Sequence, residues 1–181
     1  MVEIAGVMRT DSGMFGLWSP AAFGHVSDYD SWEAELADDE DIARHLAAGA
    51  FVPVNIGFDG DFKIAVRVGS SADPAELTDR ERGYLLMTSD PYVFLSAGVA
   101  VVSGIEYVHT LADIGLQVPL PMGRWCVRVA LIQSDKEPGQ RDEQGQPLPS
   151  ALPAFTLLIN PEQDPNSTYR TSVATFEQRA L

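Results

Sequence analysis

Hydrophobic and polar positions alternate with a period of two over most of the chain beyond Phe51, the pattern of strands that bury one face. Val52, Val54, Ile56 and Phe58 alternate, and after the turn Asp59-Gly60-Asp61 so do Phe62, Ile64, Val66 and Val68. A two-residue Asp59-Gly60 loop would set Ile56 against Lys63 and mix the faces. A three-residue loop through Asp61 sets Phe58 against Phe62, Ile56 against Ile64, Val54 against Val66 and Val52 against Val68. Lys63 and Arg67 then face water. The pattern therefore predicts a hairpin in this second register, despite the Asp-Gly turn signal.

Further strands are predicted over Tyr84–Thr88, Tyr92–Leu95, Val99–Val102, Ile105–Val108 and Gln117–Leu120, with turn-formers between them. Arg124–Ile132 follows, with Trp125, Val127, Val129 and Leu131 on one face, and Phe155–Ile159 is the last strand. Met14–Trp18 reads as a strand or packed loop; were it exposed, its aromatics would form a binding patch. The polar stretch 134–150, rich in Gln, Pro and Gly, reads as a mobile loop, and the tail after Pro161 as irregular or an edge strand.

Helical spacing is confined to residues 28–48. Asp30 and Glu33 mark one start, before Trp32 and Leu36; Asp38 or Asp39 marks a second, before Ile42, Ala43, Leu46 and Ala47. Gly49 is placed to stop the helix at C′, with Arg44 and His45 near its negative end. One bent helix and two short ones both satisfy the pattern. Together these elements predict a mainly β fold, an antiparallel β-sandwich with a short helical segment, forming a single domain over residues 1–181.

Charge adds a sharper feature. The chain of 181 residues carries a net charge of −14, and the first 50 residues hold ten acids against two bases. Asp28, Asp30, Glu33, Glu35, Asp38, Asp39, Glu40 and Asp41 follow one another with no base among them. These eight are the candidate partner-binding residues. Such a balance disfavours nucleic acid and anionic membrane as partners and favours a basic protein. No apolar run is long enough to span a membrane, and the start lacks the basic-then-apolar order of a signal peptide, so a cytoplasmic location is expected. The lone cysteine, Cys126, lies in an apolar run and reads as an inert thiol.

Enzyme motifs are missing from the sequence: no Gly-rich phosphate loop, nucleophile elbow or His-Glu-x-x-His helix occurs. His25, His45 and His109 have no metal-ligand spacing and read as structural or surface residues. Asp59-Gly60-Asp61 and Asp28-Tyr29-Asp30 do not extend into a calcium loop. No metal and no cofactor is therefore expected. A carboxylate-dependent hydrolase would need acids that meet in space, and the aromatic content of 9% gives it little to hold sugar with.

The order of features, with an acidic helical segment before a run of strands, resembles the competence protein J family of bacterial nuclease inhibitors over residues 25–132. The residues that carry the resemblance are Leu120-Pro121-Met122-Gly123-Arg124-Trp125, which lead into a late strand, and the small-residue turn Val102-Ser103-Gly104-Ile105-Glu106. It implies a sandwich that blocks a nuclease and does no chemistry itself. It transfers no inhibitory residue. Charge and resemblance together lead to one expectation: a non-catalytic, intracellular inhibitor or immunity protein for a basic nuclease or toxin. An accessory or structural protein whose acids only confer solubility is the alternative.

Overall fold

The computed structural model describes residues 1–109, 114–140, 142–143 and 148–176. Its elements in chain order are β1 (Val2–Thr10), β2 (Met14–Trp18), α1 (Tyr29–Leu36), α2 (Asp39–Ala47), β3 (Phe51–Asn55), β4 (Gly60–Val68), α3 (Asp79–Arg82), β5 (Leu85–Thr88), β6 (Tyr92–Gly104), β7 (Leu116–Ile132) and β8 (Phe155–Pro161). Short 3-10 turns occupy Ile105–Tyr107 and Ser134–Lys136.

The strands form one large sheet in the order β1-β4-β8-β7-β6-β2-β3, with β5 paired to β7. It is mixed, because β4 and β8 run parallel while the other pairs are antiparallel. Two separate antiparallel sheets, as a sandwich requires, are not what the hydrogen bonds draw. The sheet curls instead. β1 packs over β6 and β7, and the ring of Phe15 on β2 meets that of Phe62 on β4 at 5.8 Å, although three strands separate the two in the sheet order. The end strands β1 and β3 do not pair with each other, so the sheet is not closed. Its concave face encloses Phe15, Leu17, Phe94, Val127 and Leu157, all buried.

The predicted β3–β4 hairpin is overturned. Val52, Val54, Ile56, Ile64, Val66 and Val68 are buried as their alternation requires, but β3 pairs with β2 and β4 with β1 and β8. Period-two patterning fixes which face is buried and leaves the partner open. Because the sheet curls, its two ends approach, and the short segment Ile56–Asp59 crosses between them. The Gly13 carbonyl accepts the N–H groups of Ile56 and Gly57, and Gly57 turns the chain at φ +72°, where glycine meets no steric penalty. Phe58 is left 52% exposed at this crossing, touching Phe62 edge-on.

β1 was not legible as a strand. Its inward positions are Ile4, Gly6, Met8 and Thr10, too weakly apolar to give an alternating signal. Conversely, the pairs of strands predicted at 92–102 and 117–132 are each one long strand. β6 and β7 pair across a register shift at Ser96–Gly98, opposite Pro121-Met122-Gly123. The stretch predicted as a strand at Ile105–Val108 is instead a 3-10 turn over Ile105–Tyr107. Residues 162–176 have no strand and make one bridge, Asn55 to Thr175. Of the loop expected to be mobile, residues 141 and 144–147 lie outside the described residues, and Glu137 is clasped by Arg80 through two hydrogen bonds of 2.6 and 2.7 Å.

The convex face is also covered in part. Ala75 and Leu77 pack with Ala130, Ile132, Leu152 and Leu158 in a second apolar cluster. This cover buries Arg67, which was expected to face water. Its side chain is on the convex face, as the alternation demands, but meets Glu81 of α3 at 2.6 and 3.0 Å.

Candidate functional site

Two helices, not one bent helix, present the acidic segment. α1 is capped two residues earlier than Asp30. Asp28 is its N-cap: the carboxylate accepts the Ser31 N–H at 2.9 Å, and the Ser31 hydroxyl accepts the Asp28 N–H at 3.1 Å. This reciprocal pair satisfies two free donors at the helix start, which Glu33 could not do from its position. Hydrogen bonds from the Ser31 hydroxyl and then its backbone hold the Asp28 carboxyl below its ordinary range. α2 begins after Asp38, whose side chain makes no cap bond, with Asp39, Glu40 and Asp41 in its first turn, where the helix dipole favours negative charge. Gly49 at φ +69° follows its end, as predicted. Leu36, Ile42 and Leu46 anchor the pair to the core, while Trp32 is half-buried.

The eight acids do not act alike. Glu35 points back toward the protein and receives Nε2 of His45 at 2.8 Å, Nη2 of Arg44 at 2.9 Å and Nε2 of His25 at 3.1 Å. Burial pushes its carboxyl up, but the bonds from His25, His45 and Arg44 outweigh this and hold it below the usual range. His45 itself is buried, with its ring against Phe23 at 4.7 Å. Glu35 is thus a structural tie between α1, α2 and the preceding loop. Asp41 is paired with Arg44 at 2.9 Å, and Glu33 accepts the Tyr29 hydroxyl at 3.1 Å. Asp30, Asp38, Asp39 and Glu40 are exposed, and their side chains make no hydrogen bond or ion pair among the described residues. Asp38 to Asp41 line a shallow depression of about 540 Å³ at the junction of the helices.

A larger cleft of about 680 Å³ opens beside the start of α1. Tyr29, Trp32 and Val108 form its apolar wall; Asp28, Glu106 and His109 border it. The rings of Tyr29 and Trp32 stack with centroids 6.0 Å apart and planes at 29°, and the Trp32 indole N–H donates to the Ile105 carbonyl at 2.8 Å. Glu106 fixes the β1–β2 turn: it accepts from the Asp11 N–H and the Ser12 hydroxyl at 2.8 Å each, and from the Thr10 hydroxyl at 3.2 Å. Sequence reasoning missed this cleft because its residues come from three separate stretches of chain. The one local signal was Tyr29, an aromatic set among acids at the outer end of a helix.

The remaining candidates for chemistry are occupied or shielded. Cys126 is half-buried, and burial raises its thiol above the ordinary value, which disfavours the reactive thiolate. Among the described residues no group of three His, Cys, Asp or Glu side chains is arranged to hold a metal ion. The two stretches that carry the family resemblance have structural work. The Trp125 indole closes on the Pro121 carbonyl at 3.0 Å across the irregular centre of β7, and the Ser103 hydroxyl accepts the buried Trp18 indole N–H at 3.0 Å.

No protein-family model matches the chain, and no curated protein matches it. Among solved structures it is similar to crocagin biosynthetic protein J, with a TM-score of 0.62 and 16% identity over 90% of this chain and 100% of the other. It also matches the structure of ComJ, described as an inhibitor of the DNA-degrading activity of NucA from Bacillus subtilis, with a TM-score of 0.47 and 12% identity over 87% of this chain and 92% of that one. At such identities what the chain shares with crocagin biosynthetic protein J is its fold: a mainly β architecture with short helices in the N-terminal third.

Proposed function

We propose that this protein is a non-catalytic, intracellular binding protein that presents its α1–α2 face to a basic protein and blocks it, as an inhibitor or immunity protein of a nuclease or toxin. The observation that carries the reading is the division of labour among the eight acids. Glu35, Asp41, Asp28 and Glu33 are engaged in building the helices, and Asp30, Asp38, Asp39 and Glu40 are left unpaired and exposed beside them. Unpaired like charges in one place repel each other, and a partner with a positive groove relieves that repulsion and is steered to the site. A nuclease groove is positive because it must hold phosphates, and the resemblance of the chain to the competence protein J family favours a nuclease among basic partners. The engaged state of Glu106 and the shielded thiol of Cys126 support a role without chemistry.

The test is capture of the partner from a lysate of the source organism, assay of its DNase or toxic activity with and without this protein, and stopped-flow association at two salt concentrations. Replacing Asp30, Asp38 and Asp39 by Asn and Glu40 by Gln is expected to slow association about tenfold or more at low salt and flatten the salt dependence, with the melting temperature unchanged. Glu35 is left intact in this variant, since its loss would disturb the fold. A captured basic protein whose association rate and salt slope are the same for both forms would refute the reading.

A further inference from the structure

We infer that the cleft beside α1 is a receptor for a single arginine side chain of the basic partner, held against the Tyr29–Trp32 ring pair and neutralised by Asp28 and Glu106. The inference rests on the reading of the acidic face as a binding surface and adds to it a point of specificity. Four observations converge on it.

The first is shape. A cleft of about 680 Å³ with a mostly apolar lining has room for a long side chain, whereas the depression at Asp38–Asp41, about 540 Å³, offers no aromatic wall to hold one. The second is the aromatic wall. Tyr29 is 67% exposed, an unusual position for a large ring on a helix, yet it is not free to turn. Its hydroxyl is tethered to Glu33 and its ring is stacked on Trp32, which the Ile105 carbonyl holds in place. A rigid ring kept in water is arranged for contact, because little side-chain freedom remains to be lost on binding.

The third is charge. The aromatic faces carry negative quadrupoles, which attract a cation. Two carboxylates stand on the border, and both are fixed by donors from their own neighbourhood, Asp28 by Ser31 and Glu106 by residues 10–12. They form a preorganised negative site and not a pair of mobile chains. His109 on the rim is the one basic side chain among the described lining residues. The fourth is the match of geometry to arginine. A planar guanidinium stacks on a ring and donates from its edge to carboxylates at once, which an ammonium group does not.

The test uses blocked Gly-Arg-Gly and Gly-citrulline-Gly tripeptides, of nearly the same shape but with a neutral ureido group that carries a carbonyl oxygen in place of one guanidinium nitrogen, and the Trp32 indole N–H resonance as the readout. The resonance is assigned from the spectrum of a Trp32→Phe variant. The arginine peptide is expected to shift it saturably and the citrulline peptide to leave it unmoved. Tyr29→Ala should weaken the arginine response about fivefold, within the range of a partly solvated cation–ring contact, while Tyr29→Phe keeps it. Equal responses to both peptides, or Tyr29→Ala behaving as the unaltered protein, would overturn the inference. The two readings fail separately. Asp30, Asp38, Asp39 and Glu40 lie outside the cleft, so the charge-neutralised variant should still bind the arginine peptide. If it does and no basic partner is inhibited, the cleft stands and the inhibitor reading falls. If a partner is blocked and steered by charge while the peptide response is missing, the inhibitor reading stands and the cleft falls.

Discussion

Glu81→Gln probes the network that fastens α3 to the convex face of the sheet. Glu81 is 1% exposed and Arg67 4%, so the pair is buried. Glu81 Oε2 accepts Nη1 of Arg67 at 2.6 Å and the N–H and hydroxyl of Thr78 at 2.7 and 2.8 Å. Oε1 accepts Nη2 of Arg67 at 3.0 Å and the Thr156 hydroxyl at 2.8 Å. Glutamine keeps the shape but removes the charge and turns one oxygen into an NH2 group. Whichever way the amide is set, one guanidinium N–H then faces a donor. A hydroxyl can rotate to accept, but arginine cannot. Breaking one side of a buried pair costs roughly 3–5 kcal/mol. Glu3, half exposed, still holds Nε of Arg67, so a loss near the lower limit, about 3 kcal/mol, is expected.

Urea unfolding followed by tryptophan fluorescence at pH 7 measures this directly, provided the denaturant slope is unchanged. Arg67→Met alone should cost a similar amount, because it strands the Glu81 carboxylate. The combined Arg67→Met, Glu81→Gln variant should fall short of the sum by about 2 kcal/mol or more, since the second change removes the charge that the first leaves unpaired. A Glu81→Gln loss below about 1 kcal/mol, the range of an exposed pair, would refute the assignment.

Acid should act through the same kind of site. Glu35 and Glu81 are both pushed up by burial but pulled further down by their hydrogen bonds, to below the ordinary value of about 4.5. A depressed carboxyl contributes stability that is present above its unfolded value and lost as pH falls through its folded one, so stability should decline below about pH 4.5, and Glu35→Gln should flatten that decline in a pH series of melts. The corrected strand pairing makes a separate prediction. Phe15→Ala should cost about 3–5 kcal/mol, as for a fully buried ring, and Phe58→Ala only a fraction of that, both read by urea unfolding; equal losses would restore the hairpin that was predicted and not found.

The sequence by itself determined the mainly β character, the location of the helical segment and the buried face of β3, β4 and the second half of β7. These follow from local rules: a side chain on a strand points to one side or the other, and Val52, Val54, Ile64, Val66, Trp125, Val127 and Val129 alternate accordingly. Gly49 stopped α2 for an equally local reason. The concentration of carboxylates in residues 28–41 was also plain from the chain.

Only the tertiary structure decided which strands pair. Main-chain hydrogen bonds are the same for every residue but proline, so β3 could be handed to β2, and β4 to β1 and β8, without any change in the pattern of faces. The curl of the sheet then made the crossing at Ile56–Asp59 short. Tertiary structure also reversed the standing of single charges. Arg67 occupies a position that reads as solvent-facing, and becomes buried because residues 75–81 fold over it from the next stretch of chain. Glu35, one carboxylate among eight in the sequence, is withdrawn from the acidic face because His25, Arg44 and His45 converge on it from outside its own helix. The cleft of Tyr29, Trp32 and Glu106 exists only where the start of α1 meets the turn that follows β6. A charge count reads the chain one residue at a time, whereas burial, pairing and convergence depend on what the fold brings alongside.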